Sequence, residues 1–255
     1  MPHSWLYTLT GLLVGFLVGM TGVGGGSLMT PLLILLFGVK PQSAVGTDLL
    51  YAAITKIFGT ALNRHHGVVR WRIVFLQMAG SLPAGLLCLI FLRHYGPSPF
   101  ISKLITEVLG IALLLTVPAI LFKPWLQKWS ANAGTLRPQT VDVLTVVLGV
   151  VLGTLVTLSS VGAGAIGMAA LTVLYPRVST RELVATDIAH AVPLALLAGG
   201  GHWLQGAVDS VVLVELLMGS IPGILLGTLL AGRLPEDAQR WFLGILLAII
   251  GLRMI

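Results

Sequence analysis

The sequence predicts an all-α polytopic membrane protein built as two inverted repeats of about five transmembrane segments each. Three observations carry this: charge is scarce, apolar segments follow one another along the chain, and short motifs recur about 139 residues apart. Of 255 residues, 56% are hydrophobic and 9% charged, with a mean hydropathy of +0.98. A soluble domain is about one quarter charged, so a water-soluble globule is excluded. At about 25 residues per span and loop, the length accommodates roughly eight to ten crossings. That leaves no room for a separate soluble domain.

Taken in order, apolar segments fall at 5–22, 27–38, 44–63, 71–93 and 101–122, giving a first repeat over 1–122. A polar linker over 123–140 carries Lys123, Lys128 and Arg137. The second repeat, 141–255, has apolar segments at 141–158, 165–175, 182–203, 209–231 and 239–255. Residues 1–20 have neither a basic leader nor a small-residue cleavage site and are expected to be a retained first helix. The first segment breaks at Gly24-Gly25-Gly26, because consecutive glycines make poor helix. Its counterpart breaks near Gly162-Ala163-Gly164. The second member of each half has about 12 residues, near 18 Å as a helix, which falls short of the bilayer core. Broken helices survive in a bilayer only when buried in protein or lining a cavity. Either the restarted half-helix aims free N–H groups at such a cavity, or the glycines serve close helix packing.

The duplication is read residue by residue. Thr47-Asp48 recurs as Thr186-Asp187, Gly67 as Gly206, and Gly80-Ser81-Leu82-Pro83 as Gly219-Ser220-Ile221-Pro222, all at an offset of 139. Val23-Gly24 and Gly26 match Val161-Gly162 and Gly164 at 138, and Gly15 and Gly19 are matched to Gly149 and Gly153 at 134. Cytoplasmic loops hold the excess of Lys and Arg. With five crossings per half and the N-terminus outside, ten basic residues fall inside and four outside. Four crossings per half would split them seven to seven. An odd number inverts the second half against the first. Inverted repeats with broken helices are the architecture of many secondary transporters, with substrate bound where the repeats meet.

Several side chains inside the spans could carry chemistry. Asp48 and Asp187 lie one to two turns into equivalent helices, the second opening on a capping-box pattern, Ser179 and Glu182. Intramembrane carboxylates are costly; these either couple protons or substrate, or lock the repeat by accepting amide hydrogen bonds. Tyr51 and His190 occupy equivalent positions three residues beyond, on the same helix face. His190 either relays a proton with Asp187 or is satisfied by a neighbouring helix. Lys56 is the one basic residue well inside an apolar span, eight residues after Asp48. It either neutralises an acid or attracts an anion. Thr157, Ser159 and Ser160 precede the second break and offer hydroxyl donors or small packing groups. Gly199-Gly200-Gly201 is expected to mark a helix end, and Pro83 and Pro222 to kink matching helices.

A lone cysteine, Cys88, excludes an internal disulfide and a multi-cysteine metal site. No cofactor, metal site or nucleic-acid module is expected. Hydrolase elbows, zinc-protease pairs and phosphate loops are absent from the sequence, which argues against an enzyme.

The Gly15/Gly19 spacing, Gly22 with Gly24-Gly25-Gly26, Pro31, the Gly46-Thr47-Asp48 element and the divergent second copy together resemble the sulfite exporter TauE/SafE family of transporters. The resemblance covers essentially the whole chain. It implies a secondary carrier in a prokaryotic inner membrane, moving small sulfur-containing anions such as sulfite, sulfoacetate or related organosulfonates; proton-coupled export is the expected mode. The expected substrate contacts are Gly24, Gly25, Gly26, Lys56, Ser159, Ser160 and Gly162, with Asp48, Asp187 and His190 coupling protons. The expected partners are the bilayer, a small anion, protons and no nucleic acid, with an oligomer left open. The alternatives are a carrier of another small organic anion and a non-transporting membrane scaffold.

Overall fold

A computed structural model describes residues 4–21, 26–62, 69–132, 137–230 and 235–255. Among them the chain is helical with no strand. The first half comprises α1 (Ser4–Thr21), α2 (Gly26–Phe37), α3 (Pro41–Leu62), α4 (Trp71–Tyr95) and α5 (Pro99–Leu121). After a short α6 (Lys123–Asn132), the second half comprises α7 (Pro138–Ser159), α8 (Ala165–Leu174), α9 (Thr180–Leu204), α10 (Ser210–Leu230) and α11 (Glu236–Met254).

Local chemistry sets several of these limits. Ser98 caps α5 by accepting a hydrogen bond from the Ile101 N–H, with Pro99 at the first turn, where a missing N–H costs nothing. The expected capping box is present at α9: Glu182 N–H donates to the Ser179 hydroxyl, and Ser179 N–H donates to the Glu182 carboxylate. The half-length members are α2, with 12 residues, and α8, with 10. Helices α4, α5, α7, α9 and α10 are each long and apolar enough to cross a bilayer. Large apolar side chains such as Leu87, Leu229 and Leu252 stand exposed along the spans, a surface that suits hydrocarbon rather than water.

The linker contains α6, where Pro124 suits a first turn and Trp125 and Trp129 share one helix face. One expectation needs correction: the glycine triplet does not end a helix, since α9 runs through it to Leu204. A Cβ at Gly199 would lie 2.8 Å from Leu50, and one at Gly201 2.2 Å from Leu89. These glycines admit neighbouring side chains.

The two halves are interlocked. Helix α1 lies against α10 of the other half so closely that Cβ atoms at Gly11, Gly15 and Gly19 would fall 2.2, 2.5 and 2.4 Å from the carbonyl oxygens of Leu216, Ser220 and Ile224. The α4–α7 seam repeats this: Cβ atoms at Gly149 and Gly153 would fall 2.2 and 2.3 Å from the carbonyls of Gln77 and Ser81. The glycines are therefore equivalent as Gly11/Gly149 and Gly15/Gly153, an offset of 138, and the expected match at 134 was one turn out of register. At the next turn the small residue changes sides, and Gly85 meets the Thr157 hydroxyl.

Contacts also fix relative directions. The advancing pairs just described make α1 parallel to α10 and α4 parallel to α7. Thr47 with Asp209 and Tyr51 with Ser220 make α3 parallel to α10. Thr186 with Arg70 and His190 with Ser81 make α9 parallel to α4. The equivalent helices α3 and α9 instead meet antiparallel, through Gly46 with His202 and Leu50 with Gly199. So do α5 and α11, through Leu121 with Gly244 and Gly110 with Met254. Since α1 and α3 run the same way, the chain must return between them, and α2 is the return segment.

Overpacking a close seam costs about 1–3 kcal/mol. Gly15→Val is expected to lower the melting temperature of the detergent-purified protein by several degrees. Gly200→Ala, where a Cβ meets nothing within 4 Å, should leave it unchanged or slightly raised.

Candidate functional site

The polar side chains of the spans converge where α2, α3, α8 and α9 meet the end of α7. Asp48, in the second turn of α3, is fully buried. Its Oδ2 accepts hydrogen bonds from the N–H of Thr30 at 3.1 Å and from the Thr30 hydroxyl. One carboxylate oxygen thus holds the first turns of half-helix α2. Its Oδ1 has no hydrogen-bond partner among the described residues. The Ser160 hydroxyl faces the same carboxylate without closing a hydrogen bond to it. Asp48 therefore holds half-helix α2 and looks at the end of α7.

Asp187, its equivalent on α9, is buried against the first turn of α8. A Cβ on Gly167 would lie 2.6 Å from Asp187 Oδ1, so only glycine admits the carboxylate there. No hydroxyl plays the part of Thr30, and Oδ1 is unpartnered among the described residues. Lys56 is partly buried two turns beyond Asp48. It feels the field of both aspartates, Asp187 more strongly, and its charge in turn acts on His190. No ion pair shorter than 4 Å forms at Lys56 among the described residues. Four titratable groups from both halves thus share one low-dielectric region, where charges interact strongly and cannot stand uncompensated.

The second break is built by backbone conformation. Ser160 ends α7 with φ 61°, and Gly162 and Gly164 follow at φ 124° and 129°, the region glycine alone adopts freely. Ser159 donates to the Leu155 carbonyl at 2.6 Å and accepts from the Val161 N–H at 3.2 Å. Its hydroxyl is spent on closing the helix end, whereas the hydroxyls of Thr157 and Ser160 have no hydrogen-bond partner among the described residues. Gly26 opens α2. Gly24 and Gly25 lie outside the described residues, as do Asn63, Arg64, His65, His66 and Gly67.

Tyr51 and His190 are both paired across the halves. Tyr51 donates to Ser220 Oγ at 2.9 Å, and His190 Nε2 shares a hydrogen bond of 2.8 Å with Ser81 Oγ. The serines are themselves equivalent, so the two bonds are one interaction made twice. His190 Nδ1 remains unpartnered among the described residues.

Among the buried polar residues that escaped the sequence reading, three bear on this region. Thr30 is hidden in a short apolar helix beside Pro31. His202, fully buried, bonds through Nε2 to the Thr157 carbonyl at 3.0 Å and so caps the last turn of α7. Gln77 is fully buried one turn before Ser81 on α4, with both amide atoms unpartnered among the described residues. Its repeat equivalent is Leu216. An isolated glutamine in an apolar span was the signal that could have found it.

A multi-pass helical protein whose halves each bring a half-length helix and a buried aspartate to one shared cluster has the construction of a membrane carrier. The chain belongs to the sulfite exporter TauE/SafE family, which it matches over residues 7–254. It is 38% identical over 251 residues, 97% of this chain and 98% of the other, to "Probable membrane transporter protein YjnA" of Bacillus subtilis (strain 168). It is 27% identical over 251 residues, 98% and 99% of the two chains, to "Probable membrane transporter protein YdhB" of the same organism. A "Probable membrane transporter protein" of Xylella fastidiosa (strain Temecula1 / ATCC 700964) is 28% identical over 231 residues, 88% and 84% of the chains. No solved structure matches. Membership makes this a membrane transporter and not an enzyme.

A hydrogen bond to a charged group contributes about 1.5–3 kcal/mol. Thr30→Val is therefore expected to destabilise the protein by about 2 kcal/mol in a denaturant titration, while Thr30→Ser stays close to wild type.

Proposed function

We propose that the protein is a secondary carrier of small sulfur-containing anions, sulfite, sulfoacetate or related organosulfonates, working by proton-coupled export. The observation that carries this reading is the central cluster. Lys56 and the Ser160 hydroxyl are donors there without an ion-pair or hydrogen-bond partner among the described residues, and the unpartnered Gln77 amide lies one turn before Ser81, the partner of His190. These donors come from both halves, beside half-helices whose N-termini carry the positive end of the helix dipole. An oxyanion with several acceptor oxygens suits such donors. The sulfur-containing class comes from the family.

Charge balance supplies the coupling. With Lys56 charged and both aspartates ionised, the cluster already carries net negative charge, and a bound anion adds to it. Buried charge of one sign is costly, so anion occupancy favours a proton on Asp48, Asp187 or His190. A dianion such as sulfoacetate leaving with one proton moves one negative charge outward. A membrane potential negative inside favours that exit by about 2.3 kcal/mol per 100 mV.

In this reading the protein lies in a prokaryotic inner membrane with its N-terminus outside and its halves inverted. The antiparallel pairing of α3 with α9 and of α5 with α11 supports the inversion. Basic loops meeting at one end, where Arg70 pairs with Glu182 and Arg72 with Asp142, support the orientation. Because α1 is seamed to α10 and α4 to α7, the bodies that rock to alternate access are hybrids of both halves rather than the repeats themselves.

Flux of labelled sulfite and sulfoacetate into proteoliposomes, with empty vesicles beside them, tests the reading. Saturable flux is expected, with anion affinity falling as pH rises, because deprotonation adds negative charge beside the anion. Lys56→Gln should raise KM about tenfold or more. Asp48→Asn, Asp187→Asn or His190→Gln should flatten the pH dependence; its survival in all three overturns coupling through this cluster. Absence of flux for both anions in folded protein overturns the substrate class. Gln77→Leu should keep or raise the melting temperature while reducing flux, since the side chain has no partner among the described residues to lose.

A further inference from the structure

We propose that α6 and the α8–α9 loop form a surface that lies in the membrane interface and holds an acidic phospholipid headgroup. The inference starts from how α6 is attached. Its inward side is polar: the buried Ser130 hydroxyl donates to the Thr172 carbonyl of α8 at 2.6 Å, and the Gln127 amide donates to the Thr180 hydroxyl at 3.4 Å. Its outward side is aromatic. Phe122, Trp125 and Trp129 are exposed at 59%, 61% and 49%, and the two indoles stack with centroids 6.4 Å apart. A short helix with polar anchors and exposed indoles belongs at the level of the headgroups, where amphipathic rings are at home.

Neighbouring charge selects the lipid. Lys128 and Arg181 each stand one residue beyond the bonded pair Gln127 and Thr180, and both are exposed, as is Arg177 on the α8–α9 loop. The nearby acids are already engaged, Glu182 with Arg70 at 2.8 Å and Asp142 with Arg72 at 2.6 Å. Lys128, Arg177 and Arg181 make no ion pair among the described residues. Unpaired cations beside stacked indoles fit an anionic phosphate whose acyl chains continue into the bilayer. Trp71, exposed at the start of α4 next to Arg70, lies at the same end and extends the aromatic belt. Through Ser130 the headgroup is tied to α8, the half-helix that carries Gly167 against Asp187. Occupancy therefore steadies one wall of the central cluster.

The surface is tested on the full-length protein in nanodiscs of phosphatidylcholine, with and without phosphatidylglycerol, independently of any substrate. Phosphatidylglycerol should raise the melting temperature and be retained in native mass spectra. The Lys128→Gln/Arg181→Gln variant should bind it roughly thirtyfold more weakly, from the loss of two basic groups near an anionic surface. Lys128→Arg/Arg181→Lys should stay within about threefold of wild type. Brominated phosphatidylglycerol should quench less fluorescence in Trp125→Phe/Trp129→Phe than in wild type. Equal retention by the glutamine variant, equal retention of phosphatidylcholine, unchanged quenching, or equal protection by soluble glycerol phosphate would each overturn the proposal.

Discussion

Backbone-to-backbone approach at two seams is the constraint on which this architecture rests. Lipid tails are as apolar as leucine side chains, so no hydrophobic force drives helix against helix inside a bilayer. What remains is close packing and the hydrogen bonds it permits. At α1–α10 and α4–α7 the glycines remove every Cβ that would hold the backbones apart, and carbonyl oxygens occupy the vacated space. Each seam joins a helix of one half to a helix of the other. Everything central, from the α3–α9 contact to the paired Tyr51–Ser220 and His190–Ser81 bonds, is held between them.

Within that frame the two breaks are not equals. The first half anchors its half-helix with a side-chain hydroxyl, Thr30 on Asp48. The second substitutes the bare backbone of Gly167 against Asp187. Lys56 has no basic partner at the equivalent position, which is Ala195, and the position equivalent to Gln77 is Leu216. The polar groups are thus spread unevenly over a repeated scaffold.

Much of the scaffold was legible because its causes are local. Long apolar runs and glycine breaks declare themselves in composition, and Ser179 with Glu182 marks a helix start whatever surrounds it. The repeat was legible through motifs such as Thr47-Asp48 and Gly80-Ser81-Leu82-Pro83, since equal positions need equal residues. The register of the first helix was not. Glycines recur every four residues there, so Gly11, Gly15 and Gly19 offer several plausible matches, and only the opposing carbonyls of α10 choose among them. The central residues were nameable by their cost: Asp48, Asp187 and Lys56 stand out in apolar runs. Their company was only partly so: Ser160 was nameable beside the second break, whereas the contacts of Thr30, Ser81 and His202 look ordinary until distant helices bring them together. Helix α6 was hidden for the opposite reason, since a polar stretch reads as a connector unless its two indoles are seen on one face.

The α1–α10 seam also bears on how the chain is made. Helix α1 leaves the ribosome long before α10, whose surface it fits. At about 5–20 residues per second, the interval between the two is on the order of tens of seconds. During that interval the glycine face of α1 has only lipid, or another membrane protein, against it. The nascent protein must therefore tolerate an orphaned first helix throughout its synthesis. The low charge of α1, which contains no acidic or basic residue between Ser4 and Thr21, is what lets it wait in the bilayer.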